Sequence, residues 1–170
     1  MGTKRSDKAY EWWLHETTRF DYFVLGACLA LVGYLASILE PARVGLNAQT
    51  AELVSISSML AAAFAGFKRI EALVVAFKLS HDRLYALEAT GALRKASQNP
   101  GRSLNTETGD VMTPQEALRE AHRQSERAQQ FEDMHASWAS GAARWYVVRN
   151  TALLFGMASL VAARVWRAYG

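Results

Sequence analysis

The chain is 170 residues long, 51% hydrophobic, with a formal net charge of +3 and one cysteine. A lone cysteine excludes a disulfide framework and a thiolate cluster. The 19 basic residues are interleaved with 16 acidic ones, which argues against a nucleic-acid-binding arm.

Residues 6–19, SDKAYEWWLHETTR, mix charges with Trp12 and Trp13 and read as an amphipathic interfacial lead-in. MGTKRS ahead of them fits a myristoylation pattern at Gly2, but the pattern is short and a lipid anchor is redundant beside spanning helices. Residues 20–39, FDYFVLGACLALVGYLASIL, form the first expected span. About 20 apolar residues match a hydrocarbon layer of roughly 30 Å. The run is too long, and its preceding charges too mixed, for a cleaved secretion signal. Glu40 and Pro41 stop it, and EPARVGLNAQT reads as a turn. Residues 51–67 form a second, slightly short span, closed by Lys68 and Arg69, whose long stems can snorkel to the interface.

Steps of four and three from Ser55 give Ser55, Met59, Ala62, Gly66, Ile70, Leu73, Phe77, Ser80, Leu84, Leu87 and Gly91. Every position is apolar or small, which predicts one long helix whose cytoplasmic arm is residues 68–97. Residues 98–113, rich in Gly, Pro and small polar side chains, read as a hairpin loop. Thr113-Pro114-Gln115-Glu116 supplies an N-cap, a first-turn proline and a capping-box glutamate. A second arm, residues 114–144, then runs through Ala117, Ala121, Gln124, Ala128, Phe131, His135, Trp138, Ala142 and Trp145. The same stepping continues through Arg149, Ala152, Gly156, Ser159 and Ala163 into a third span, residues 145–166. The stretch between Arg149 and Arg164 measures only about 21 Å along a helix. Trp145 and Tyr146 at one end, with Trp166 and Tyr169 at the other, form aromatic belts, so the two arginines are expected to reach outward to the interfaces.

The expected fold is a single all-α domain: an integral membrane protein with three transmembrane helices. The second and third extend into a long antiparallel, coiled-coil-like cytoplasmic hairpin. Its seam is Ile70, Leu73, Phe77, Leu84 and Leu87 against Phe131 and Trp138. Lys and Arg concentrate in residues 1–19 and 68–149, which predicts a cytoplasmic N-terminus and hairpin and a C-terminus outside.

Each span carries a stripe of small residues: Gly26, Ala30, Gly33 and Ser37; Ser55, Ala62 and Gly66; Ala152, Gly156, Ser159 and Ala163. Such stripes mark helix contact faces in lipid, here expected to pack the three spans on one another and also to serve homo-oligomer contacts. Asp21, Lys68, Glu71 and Arg149 are expected near the inner boundary as a salt-bridged cluster that pins helix register; an ion or proton site is the sharper alternative. His15, His81, His122 and His135 lack metal-type spacing, and neither a phosphate loop nor a nucleophile elbow occurs. The chain is thus expected to be no enzyme and to hold no cofactor or metal.

GFKRIEALVVAFKLSHDRLYAL, after the second span, resembles the corresponding part of small bacterial membrane proteins of the SLATT type. The resemblance implies a bacterial inner-membrane location and a link to pore-forming effectors of defence systems. Two functions follow as expectations. One is an oligomeric scaffold that binds a cytoplasmic protein partner through the hairpin. The other is a homo-oligomeric pore, for which the spans offer only a few hydroxyls as polar lining.

Overall fold

The computed structural model describes the backbone of residues 4–39, 45–99, 101, 103–104 and 111–169, and the side chains of 17–39, 45–99, 101 and 111–169. Three helices make up nearly all of it: α1 (Lys4–Ile38), α2 (Ala48–Ser97) and α3 (Pro114–Tyr169). The side chains of the expected lead-in before Thr17, the myristoylation pattern and the turn at 40–44 lie outside the described residues. Thr17–Ile38 of α1, and α3, are long and apolar enough to cross a membrane.

The helix starts follow from side-chain caps. Asn47 caps α2: its Oδ1 accepts from the Thr50 amide at 2.8 Å and from the Thr50 hydroxyl at 2.9 Å. Thr113 caps α3 in a capping box, its hydroxyl accepting from the Glu116 amide at 3.3 Å while its own amide donates to Glu116 Oε2 at 2.8 Å. Between α2 and α3 the expected loop contains a minimal antiparallel pair, β1 (Ser103–Leu104) and β2 (Val111–Met112), with Ser103 opposite Met112. Val111 and Met112 favour extended backbone, which the polar composition of the loop obscured.

The chain divides into two compact units: Met1–Glu71 with Gly141–Gly170, and Ala72–Ser140. In the first unit α1 turns Asp21, Cys28 and Leu35 inward at seven-residue spacing. α3 does the same with Ala142, Arg149, Gly156 and Ala163. Between them α2 buries Glu52, Ser55, Met59, Ala62 and Ala65. Cys28 packs with Ala62 and Ala63, and Leu35 with Ile56 and Met59. The large apolar side chains face out instead: Phe23 is 72% exposed, Leu154 69% and Val147 62%. The closest approach is at Gly156, where a Cβ would lie 3.2 Å from Met59 Cγ and 3.3 Å from the Ser55 carbonyl oxygen. The Ser55 hydroxyl uses that proximity to donate to the Gly156 carbonyl at 2.8 Å.

In the second unit the buried line on α2 is Ala72, Ala76, Leu79, Ala86 and Thr90, and α3 supplies Ala117, Ala121 and Ala128. This corrects part of the expected seam. Ile70, in the first unit, is buried, and Leu73 and Phe131 are half-buried, but Phe77, Leu84 and Leu87 are largely exposed, as is Trp138 at 39%. The stepping from Ser55 takes two successive four-residue strides, Ala62 to Gly66 to Ile70. That carries the line one residue past the buried one, a rotation of about 100°. Along α3 strict alternation keeps register, and Ala117, Ala121, Ala128 and Ala142 are all buried. The seam is built from alanines because small side chains let helix axes approach, while bulky ones are driven to its flanks.

Ala121→Leu should therefore overpack the seam and cost roughly 1–3 kcal/mol. Ala136→Leu, on the exposed face of α3, should stay within about 0.5 kcal/mol of the parent. Thermal unfolding in detergent, followed by circular dichroism, measures both.

Candidate functional site

The most concentrated chemistry in the first unit is ionic and buried. Asp21 of α1 has no solvent exposure. Its Oδ1 accepts from Arg69 Nη1 of α2 and from Arg149 Nη1 of α3. One carboxylate oxygen thus joins three helices. The Arg149 side chain is 2% exposed and that of Arg69 12%. Tyr146 completes the group: the guanidinium carbons of Arg69 and Arg149 stand 4.6 and 5.1 Å from its ring centroid. Its π-face offsets part of the triad's excess positive charge. Arg149 Nε donates to Asn150 Oδ1 at 3.1 Å. Burial lowers the Arg69 guanidinium from its ordinary value, with Asp21 pulling it back up and Arg149 pushing it down. It stays charged, since arginine does not lose its proton in proteins.

A second ionic group belongs to the same unit. Glu52 of α2 is 2% exposed and accepts from Arg167 Nη2 at 2.7 Å, with Arg164 Nη1 at 3.8 Å from its other oxygen. Along α2 the two groups are separated by about 26 Å, the stretch from Glu52 to Arg69 at the helical rise. The residues between them on α2 carry no charge except Lys68. Asp21 Oδ2 and Glu52 Oε1 each lack a hydrogen bond among the described residues.

Of the four residues expected to cluster, the structure brings Asp21 and Arg149 together. Lys68 and Glu71 pair with each other at 2.7 Å on the exposed side of α2. Such a surface pair is worth little. Arg69, adjacent in sequence to Lys68, takes the place expected of it. Strict four-three alternation from Ser55 lands on Arg69, so the signal was present in the heptad count. Arg149 points into the bundle and Arg164 toward Glu52, whereas both were expected to reach outward; a buried carboxylate stands near each.

The small-residue stripes divide. Ser55, Ala62, Gly66 and Gly156 are buried, and Ala152 and Ser159 half-buried, so those of α2 and α3 pack within the unit. Gly26, Ala30, Gly33 and Ser37 of α1 are exposed, and a Cβ on Gly26 or Gly33 would meet nothing within 4 Å. Asp21, Cys28 and Leu35 occupy the inward face of α1 in their place.

The triad holds a fixed carboxylate and two permanently charged cations. Its chemistry is that of a clamp, and an incoming metal cation would meet two guanidiniums. Among the described residues no group of three His, Cys, Asp or Glu side chains could hold a metal ion. No family model, curated protein or solved structure matches the chain, so the site is read from its chemistry alone.

Removing one partner of a buried pair strands the other charge. Asp21→Leu, which leaves the Arg69 and Arg149 guanidiniums without their shared carboxylate, should cost roughly 3–5 kcal/mol, whereas Arg149→Met, which leaves Asp21 paired with Arg69, should cost less. Comparing thermal unfolding of the two variants in detergent checks the ranking.

Proposed function

We propose that the chain is a multi-pass membrane protein whose first unit anchors it in the bilayer and whose second unit is a cytoplasmic partner-binding scaffold. The observation that carries the anchor is the inverted burial of the first unit. Charged and small side chains lie inside, while Phe23, Phe64, Val147, Leu154 and Phe155 face outward. Water would penalise that arrangement and hydrocarbon favours it. The separation of about 26 Å between the two ionic groups approaches the thickness of a hydrocarbon layer, so each group stands near one boundary. On this reading α2 contributes the third span, with the charge of Glu52 more than offset by its two arginines. The excess of Lys and Arg in the central region puts the second unit on the cytoplasmic side.

Partner numbering supports an antiparallel hairpin: Arg83 pairs with Glu132 at 3.1 Å in the second unit, and in the first Ser55 meets Gly156 and Phe64 meets Trp145. The second unit also carries an open cavity of about 590 Å³ lined by Arg94, Arg119, His122 and Arg123. Arg94 and Arg119 have no carboxylate partner among the described residues, which suits an acidic segment of a protein partner. A pore is the weaker reading. The hydroxyls of Ser37, Ser55, Ser57 and Thr151 are spent on backbone carbonyls, and Met59 fills the centre of the bundle. The exposed Gly26, Ala30, Gly33 and Ser37 stripe gives α1 a face for contact with further copies.

In a Cys28→Ala background, Gly45→Cys should label with an impermeant maleimide in intact cells, and Ser103→Cys only after permeabilisation. Labelling of position 103 in intact cells would reverse the orientation. A photo-crosslinker at Leu118 should capture a cytoplasmic protein, and Arg94→Glu with Arg119→Glu should abolish that capture while the chain stays in carbonate-washed membranes.

A further inference from the structure

The alanine seam of the second unit leaves another line on α2 without a partner among the described residues. Leu73, Phe77, Ser80, Leu84, Leu87 and Gly91 follow one another at alternating steps of four and three. None is charged, while Lys78, His81, Asp82, Arg83 and Glu88 between them are ionic or polar. Leu73 and Ser80 are half-buried; Phe77 is 49% exposed, Leu84 57% and Leu87 43%, and a Cβ on Gly91 would meet nothing within 4 Å. Each residue of this line except Leu84 lies one position after a residue of the occupied seam, about 100° around the helix. A helix with two apolar heptad lines is built to touch two other helices. α3 covers the first.

We propose that this outer line of α2 is the contact through which a second copy of the chain docks, parallel and in register. The proposal rests on the membrane reading above and names the partner within it. Heptad spacing asks for a helix as occupant, since only a helix presents knobs at that period. Two copies in one bilayer share an orientation, so α2 of the second copy arrives parallel, with the same line at the same height. An uncharged line can face its own copy without like-charge repulsion. With Phe77 and Leu84 at the a positions, Arg83 is a g residue and Glu88 the e residue of the following heptad. Those are the positions that pair opposite charges between parallel helices in register. Glu88 is exposed and has no ion-pair partner among the described residues, and Arg83, paired with Glu132 at 3.1 Å, keeps a side chain 38% exposed.

Single cysteines placed in the full-length Cys28→Ala chain test this in isolated membranes treated with a mild oxidant. Phe77→Cys and Leu84→Cys should give disulfide-linked dimers in at least about fivefold higher yield than Lys78→Cys and Tyr85→Cys, which lie off the line. Glu88→Arg should lower the yield at position 84, and adding Arg83→Glu should restore it. Equal yields at all four positions, or no dimer at 77 and 84, overturn the proposal while the chain remains in carbonate-washed membranes. Labelling of this stripe by another protein, or by residues 4–16 of the same chain, in place of the dimer overturns it as well. Release of the parent chain by carbonate overturns the membrane reading, and the parallel dimer with it.

Discussion

A single carboxylate oxygen, Asp21 Oδ1, accepts from guanidiniums carried by two other helices, and the first unit is arranged around that fact. α1 reaches both other helices through Asp21. Its remaining inward residues, Cys28 and Leu35, pack against α2 by apolar contact alone. Apolar contact is non-directional and by itself gives little orientational preference. An ionic junction fixes both rotation and height. Asp21 turned by one residue would face outward, with both arginines left unpaired.

The bundle interior follows the same logic. Gly156 and Ser55 let α2 and α3 approach closely enough for a hydroxyl to reach a backbone carbonyl. Glu52 with Arg164 and Arg167 ties these two helices again about 26 Å away along α2. α1 has no counterpart to that second junction among the described residues. Its outward face carries the exposed stripe of Gly26, Ala30, Gly33 and Ser37.

Two kinds of seam coexist on α2. One is the buried alanine line; the other, which stays exposed among the described residues, carries Phe and Leu. The distinction is one of axis separation. Alanine interfaces need close approach, which a capped and continuous helix pair supplies. Bulky side chains at the same period suit a wider axis separation.

Composition and periodicity alone determined the all-helical class, the cap at Thr113, the small-residue lines of α2 and α3, and the seven-residue spacing along α3 from Ala121 to Ala163. These are local properties: a cap needs residues three apart, and a heptad needs only its own helix. Which of Lys68 and Arg69 meets Asp21 was not legible in the same way, since the two differ by about 100° of rotation and have nearly the same chemistry. Nor was the choice between the alanine line and the Phe77–Leu84 line, because both obey the same period and the bulkier one has the stronger hydrophobic signal. The tertiary structure decided each case through rotation about the helix axis. That rotation is set where three helices must satisfy one buried carboxylate at once, and no segment read by itself contains this condition.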